Sequence, residues 1–453
     1  MDRSGRILLL LVGFVGLMDA LDGTIVSVAL PTIAADMNVD ISMASWVSVA
    51  YFMMMAGLLI LFGRIAQNVS IRFVLLTGIG LFSLSSLACA LSVSFPMLIA
   101  ARIAQGIGAA MMGATIPMCC VKFFSANELG YALAVVTIGY SVGAAMGPAL
   151  GGVIVSALSW HWIFYINVPI GIVTIWLLNR RMPKEERPEE KVRADYVGAL
   201  TLFIAIVGLV LLLENIGDST MMVVSGIVCV LFLTVFIIHE NRTDLPLLGL
   251  KVFRNVAFDF NLIVYFLINV VYMGLVYLLP FFMTITLGLD STISGLFLFI
   301  PPIVTILTGM PIGRWSDATG RRWFCVASCL ILALAMVLIA FMDGLNIPVY
   351  VLALGCMGLM WSFAGGPVIS RVIESTVGET KEMGSTMCNE AAYLGSTIGA
   401  VFFAALFTVF AGADGIPIGS LSSEVFMDGF TASMIVGAVL ALVGAVLSFV
   451  VKE

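Results

Sequence analysis

Apolar runs repeat along the whole chain, parted by short polar segments. Each run is close to the roughly 20 residues that an α-helix needs to cross a bilayer. Hydrophobic positions inside a run are continuous rather than alternating, so the spans are expected to be helices and not the strands of a barrel. Windows of that length predict helices near 7–31, 44–63, 73–92, 96–120, 130–157, 163–179, 197–214, 221–238, 258–286, 292–312, 323–342, 348–369, 385–410 and 429–450, fourteen in all. The first run, behind Arg3 and Arg6, is long, contains two aspartates and is followed by many more spans. It reads as the first span rather than as a cleaved leader.

Positive charge supports the count. With the N-terminus in the cytoplasm, every one of the 21 Lys and Arg residues except Arg102 falls on the cytoplasmic side, from Arg3 and Arg6 through Arg64, Arg72 and Lys122 to Lys452. Cytoplasmic loops carry such an excess, and one misplaced helix would scramble it. The expectation is an all-α, multi-pass protein of the plasma membrane with both termini cytoplasmic. Composition agrees: 61% of the 453 residues are hydrophobic and 11% charged, against roughly 25% charged in soluble domains. Mean hydropathy is +1.14. The eight cysteines lie in apolar runs and the only histidines are His161 and His239. No disulfide framework or metal site is expected from that supply.

Charges inside the spans then become informative. Asp19 and Asp22 sit three residues apart in the first span and share a face. A carboxylate at the centre of a membrane helix costs roughly 2.5–3.5 kcal/mol on insertion scales. At about 1.5 Å per residue, Asp22 lies about 13 Å below the outer end of its helix, and Arg102 about 9 Å below the outer start of the fourth. The two can meet. One reading is a structural ion pair. The other, favoured because intramembrane ionisable groups are functional by default, is a coupling site whose carboxylate is protonated in one state and paired in another.

The chain divides into an N-terminal six-helix bundle (1–179), a linker with two extra helices (180–257), and a C-terminal six-helix bundle (258–453). The linker "NRRMPKEERPEEKVRADY" mixes both signs with two prolines, as a solvated connection does. A weak repeat links the halves: Gly63-Arg64 and Gly313-Arg314 each leave a helix into a short polar turn ending in arginine. Halves of this kind, built from three-helix repeats, are a secondary-transporter architecture. Gly139, Gly143, Gly147 and Gly151 recur every fourth residue and make a flat face for a neighbouring backbone. Pro148 removes a donor and bends the same helix.

With these motifs in view, the chain resembles the fourteen-helix drug:proton antiporters of the major facilitator superfamily over essentially its whole length. "LDGTIVSVALP" (21–31) resembles the family's first-helix signature, with Ser27 where Asn is usual. "RIAQGIGAA" (102–110) resembles its fourth-helix motif, and "GYSVGAAMGPALGG" (139–152) its antiporter motif, including Gly143, Gly147, Pro148, Gly151 and Gly152. "WHWIFYINVPIG" (160–171) is similar to the junction of helices 5 and 6, with His161 for the usual Arg. The resemblance implies the major facilitator fold, two six-helix bundles plus two central helices, and a role for Asp22, with Asp19, and for Arg102 in proton coupling. It implies gating roles for Gly63, Arg64 and Arg72 in one loop and for Gly313, Asp317, Gly320, Arg321 and Arg322 in its copy. The first loop departs from the pattern: Gln67 and Ser70 stand where the family has Asp and Gly. Loss of that charge contact is expected to favour a state open to the cytoplasm.

Further polar groups lie in the second half. Asn261, Tyr265, Asn269 and Tyr272 form one stripe on the ninth span, which is either cavity lining or packing glue. The thirteenth span carries Asn389, Glu390 and Tyr393; the resemblance makes Glu390 a candidate coupling acid and the other two cavity candidates, whereas a wetted interfacial Glu is the plain alternative. Met53, Met54 and Met55, among 26 methionines, suit an adaptable cavity or ordinary lipid-facing filler. With no phosphate-binding loop, the expectation is neither an enzyme nor an ATP-driven pump. It is a proton-coupled exporter of amphipathic or cationic compounds, using the proton gradient and no cofactor. Its partners are a small molecule, protons and the bilayer, not nucleic acid, and a monomer is expected. A dedicated exporter of one metabolite, peptide or lipid-like compound, and a non-transporting receptor or scramblase, are the alternatives.

Overall fold

The computed structural model describes residues 3–124, 126–183, 195–215, 219–243, 255–342, 346–375, 381–412, 416 and 421–451. The side chains of Arg64, Gln67, Arg314, Asp317 and Asn389 lie outside the described set. The N-terminal half comprises α1 (Arg3–Asp36), α2 (Ile41–Asn68), α3 (Ile71–Ala90), α4 (Phe95–Phe123), α5 (Ala126–Ala157), α6 (Trp162–Tyr165) and α7 (Asn167–Arg181). α8 (Tyr196–Glu214) and α9 (Ser219–Arg242) follow as a hairpin. The C-terminal half comprises α10 (Val256–Phe281) with a π-helical turn (Phe282–Thr286), α11 (Ser291–Leu298), α12 (Ile300–Thr319), α13 (Arg322–Ala340), α14 (Ile347–Ala364), α15 (Pro367–Glu374), α16 (Lys381–Ala411) and α17 (Ser423–Val450). Every element among the described residues is helical, and fourteen spans are long and apolar enough to cross a membrane.

Local chemistry explains the boundaries. Asp40 caps α2 by accepting from Met43 N at 2.6 Å. Ser70 caps α3 by accepting from Phe73 N at 3.1 Å, and Asp195 caps α8 by accepting from Gly198 N at 2.8 Å. Such side chains satisfy amides that the first helical turn leaves open. Ser70, which replaces the family's loop glycine, therefore has a structural use. In the copy of that loop Gly320 takes φ +92° at the end of α12, a conformation that disfavours a β-carbon. Four spans read as single helices are interrupted: at Ile166 between α6 and α7, at the π-helical turn, before Pro301-Pro302, and before Pro367. At the last two, proline tolerates only the start of a helix, where its missing donor is not needed.

α1 begins on the face of the bundle where α17 ends, called here the terminal face. The two halves meet towards the opposite face. The Tyr277 hydroxyl of α10 donates to the Ile41 carbonyl at the start of α2. Thr292 Oγ1 of α11 donates to Ser156 Oγ of α5 at 2.7 Å. One buried apolar cluster joins Ile25, Ile33 and Val47 to Val271, Leu278 and Phe281 there. At the terminal face, ties inside one half include those of Arg72, which donates to the Asn179 and Met182 carbonyls, each at 2.7 Å, and to Asn179 Oδ1 at 2.6 Å. Arg371 donates to the Val451 carbonyl at 2.6 Å, Arg322 to the Phe449 carbonyl, and Arg321 pairs with Glu374. The α8–α9 hairpin packs its first helix along α2 and α16, where Ile206 and Val210 join Val49, Met53, Ala400 and Val401 in a small core.

Candidate substrate cavity and buried charge cluster

The glycine stripe places α1. A β-carbon at Gly139 would strike the Gly13 carbonyl, one at Gly143 the Leu17 carbonyl, and one at Gly151 the Ile25 side chain and carbonyl. α1 and α5 thus cross at backbone contact, which only small residues permit. The crossing fixes Asp19 and Asp22 in position. Three residues turn a helix by about 300°, leaving the two carboxylates about 60° apart. That angle is enough to send them into different surroundings.

Asp22 is fully buried and saturated with donors. Arg102 Nη1 donates to its Oδ2 at 2.7 Å. Gln105 Nε2 and Asn167 Nδ2 donate to its Oδ1 at 2.8 and 2.7 Å. Arg102, 1% exposed, also donates from Nε to the Val47 carbonyl and from Nη1 to Gln105 Oε1, both at 2.7 Å. Its guanidinium lies 4.3 Å from the centre of the Tyr51 ring and 5.7 Å from that of Phe164. Ser86 Oγ accepts from Gln105 Nε2 at 2.8 Å. A buried ion pair with its remaining sites hydrogen-bonded is stable, and removing one partner costs about 3–5 kcal/mol. Gln105, Asn167 and Ser86 had no role in the sequence reading. Gln105 and Asn167 lie inside the quoted motifs, and the three-residue step from Arg102 to Gln105 was the available signal.

Asp19, on the same side of α1 but turned by about 60°, meets different surroundings. It is 4% exposed, accepts from the Tyr51 hydroxyl at 2.7 Å and has Tyr140 of α5 beside it. It also lines a cavity of about 490 Å³ between the halves. Facing it across that space are Tyr272, Trp361 and Tyr393, and Tyr272 and Trp361 pack edge to face with centres 5.2 Å apart. Tyr51 and Phe52 form a similar pair at 5.3 Å on the near side. Thr24, Ser27, Ser141, Thr305 and Ser396 contribute hydroxyls, and Asp19 is the charged residue among the described lining. Tyr51 joins both regions: its hydroxyl holds Asp19 and its ring carries Arg102.

The remaining candidates divide. Tyr272 and Tyr393 line the cavity; Asn261, Tyr265 and Asn269 do not. Those three are buried in the helix core, and Asn269 donates to the Tyr265 carbonyl at 2.8 Å. A β-carbon at Gly395 would press on Asn269, so this part of the stripe packs α10 against α16. The stripe thus divides between its two readings: Asn269 packs against α16 and Tyr272 lines the cavity. Glu390 is 6% exposed, outside the described lining, with Oε1 lacking a hydrogen-bond partner. It is buried rather than wetted. Gly63 and Gly313 have open space where a β-carbon would stand. Beyond the membrane-spanning segments, His161 stacks on Trp160 with centres 3.7 Å apart, and Trp160 Nε1 donates to Asp36 Oδ2 at 2.9 Å. Burial pushes the His161 imidazole below its ordinary value, and Asp36 opposes the shift.

The sequence model of the Major Facilitator Superfamily matches residues 12–400. The riboflavin transporter RibZ of Clostridioides difficile (strain 630) is 28% identical over 392 residues, 86% of this chain and 85% of that protein. The putative multidrug resistance protein MdtD of Escherichia coli O81 (strain ED1a) is 33% identical over 341 residues, 74% of this chain and 72% of that protein. Among solved structures, a bacterial homolog of the human lysosomal transporter Spinster, inward-facing and unoccupied, superposes with a TM-score of 0.72. It is 14% identical, over 99% of this chain and 97% of that one. The helical architecture, the fourteen spans and the profile match across most of the chain converge: this protein is a membrane transporter of the Major Facilitator Superfamily, and not an enzyme.

Proposed function

We propose that the protein exports amphipathic, cationic compounds across the plasma membrane in exchange for protons. The observation that carries this reading is the apolar, aromatic cavity with a single described acidic residue, Asp19, in its wall. Aromatic faces and one carboxylate suit a lipophilic cation. With both termini in the cytoplasm, as the positive charges favour, the halves meet at the outer face and the cavity faces inward.

The coupling role passes in this reading from Asp22 to Asp19. Asp22 already has a cation and two amides for partners, so releasing its ion pair costs most of the buried-pair energy. Asp19 has phenols beside it and no described cation, and it borders the space that a substrate and a proton would share. The Asp22–Arg102 cluster acts through Tyr51 to orient Asp19. Glu390, on the opposite half, is a second candidate acid, set one helical turn from Tyr393. The polarised halves and the closed outer contact suit alternating access by rocking.

A second reading has its own support. RibZ is named a riboflavin transporter at comparable identity, and the facing aromatic pairs would equally stack a neutral planar ring. Purified protein in liposomes decides between them. Under an imposed pH gradient, tetraphenylphosphonium is expected to move against its gradient with counterflow of protons recorded by a trapped pH dye. Riboflavin movement without tetraphenylphosphonium movement would replace the first reading with the second. Movement of either compound unaffected by the pH gradient would remove proton coupling.

A further inference from the structure

Buried helical serines in this protein pair with their own backbone. Ser83, Ser86 and Ser433 donate to the carbonyl four residues back, at 2.8, 2.7 and 2.8 Å, the usual solution for a hydroxyl inside a helix. Ser45 of α2 departs from it. It is 0% exposed, between Ala44 and Val47 of the core that joins the halves, yet its Oγ has no hydrogen-bond partner among the described residues. The carbonyl four residues back belongs to Ile41, and that carbonyl accepts the Tyr277 hydroxyl from the other half. A carbonyl oxygen has two lone pairs. The helical ladder uses one for the Ser45 amide and Tyr277 takes the other, so no site remains for the serine hydroxyl. A buried donor without a partner is costly, and here the bond that ties the halves together is what leaves it so. The Thr292–Ser156 tie, by contrast, is solvent-exposed, where water can replace it.

We propose that Ser45 and Tyr277 compete for the Ile41 carbonyl, and that this competition is a switch at the outer face. With the face closed, Tyr277 holds the carbonyl and Ser45 goes without. When the halves part there, Tyr277 leaves for water, and Ser45 turns about χ1 to donate to the freed carbonyl. The hydroxyl that is unsatisfied in the closed state gains its partner in the open one. The seal is thereby kept weak, because what Tyr277 contributes on closing is offset by what Ser45 loses. A contact that alternating access must break in every cycle calls for a seal of this kind. The switch requires only that the halves part at this face. It does not rest on the identity of the substrate or on proton coupling.

Hydrogen–deuterium exchange of the full-length protein in lipid nanodiscs tests the handover. It is read on peptides covering 37–48 and 276–290, since exchange at the buried outer ends of α2 and α10 follows the population of the open state. Ser45→Ala removes the unpaired hydroxyl of the closed state and the bond of the open one, and should slow exchange there about tenfold. In a Tyr277→Phe background the same substitution should change it by less than about twofold, because Ser45 then holds the carbonyl in both states. Tyr277→Phe alone should not speed exchange, for the same reason. Failure of Ser45→Ala to slow exchange overturns the switch, and so does equal slowing in both backgrounds. A rise of about tenfold on Tyr277→Phe alone would make Tyr277 a plain latch and overturn it too. Should Tyr277→Phe fail to fold, Ser45→Ala is set against Ser433→Ala, whose hydroxyl is already paired within α17. Slowing confined to Ser45→Ala supports the handover, and equal slowing by both overturns it.

Discussion

One turn of α1 serves two regions with opposite physics. On one side Asp22, Arg102, Gln105 and Asn167 form a sealed cluster in which every strong charge has a fixed partner. On the other, Asp19 borders an open cavity with hydroxyl and aromatic neighbours. The contrast teaches that an acid in a membrane helix is not functional in one uniform sense. A carboxylate with a cation and two amide donors holds a bundle together, whereas one that faces an accessible space is free to exchange what it binds.

Arg102→Ala should break the sealed region most severely. It strands Asp22 and opens a hole beneath Tyr51, so a loss of about 3–5 kcal/mol is expected. Thermal unfolding in detergent, followed by dye binding, reads it, and Asp22→Asn should cost less because the amide keeps its size and part of its hydrogen bonding. Equal stability of the two variants would mean that the ion pair is not what holds the cluster.

The next effect belongs to the cavity. Asp19→Asn should unfold like the wild type yet lose proton-driven efflux about 100-fold, equivalent to about 2.7 kcal/mol. If Asp19→Asn keeps pH-gradient-driven transport and Asp22→Asn abolishes it in a folded protein, the roles assigned to the two regions are reversed. Tyr51→Phe examines the link between them. Losing the hydroxyl bond to Asp19 is expected to cost about 1 kcal/mol and to move the pH dependence of transport while the melting temperature changes little. An unchanged pH profile would show that the regions act independently.

The smallest expected effect lies outside both. The folded chain favours neutral His161, whose imidazole is held below its ordinary value by burial. Its contribution to stability is therefore present above the unfolded-state value and is lost as pH falls from there through the lower folded-state value. Because the ring is partly exposed, the change is expected to stay within a few tenths of a kcal/mol. His161→Gln should flatten this small acid-side slope in melting temperature between pH 5 and 8. A slope that persists in the variant would assign it to Asp36 or another acid.

Much of the molecule was legible in the chain. The spacing of apolar runs gave fourteen spans because hydrocarbon thickness imposes one length on every crossing helix. Arg102 and Asp22 could be matched by depth because charges within the spans are few and helical rise is constant. The four-residue glycine stripe announced a close helix crossing. Gln105 and Asn167 were harder to read, since an amide in a motif carries no sign of which neighbour it will meet.

What the sequence determined by itself was therefore periodic or local: span length, the glycine stripe and the shared neighbourhood of Asp19, Asp22 and Arg102. Tertiary structure decided which side of each helix faces what. It turned Asp19 to the cavity and Asp22 to Arg102 across an angle of about 60°, a difference that a one-dimensional pattern does not register. It buried Asn261 and Asn269 against α16 while leaving Tyr272 in the cavity, although all three belong to one stripe. It also laid α8 along the contact between α2 and α16. The reason is physical: polar positions in lipid must face protein or water, but which protein surface they face follows from how the helices cross, and that is settled only when the bundle packs.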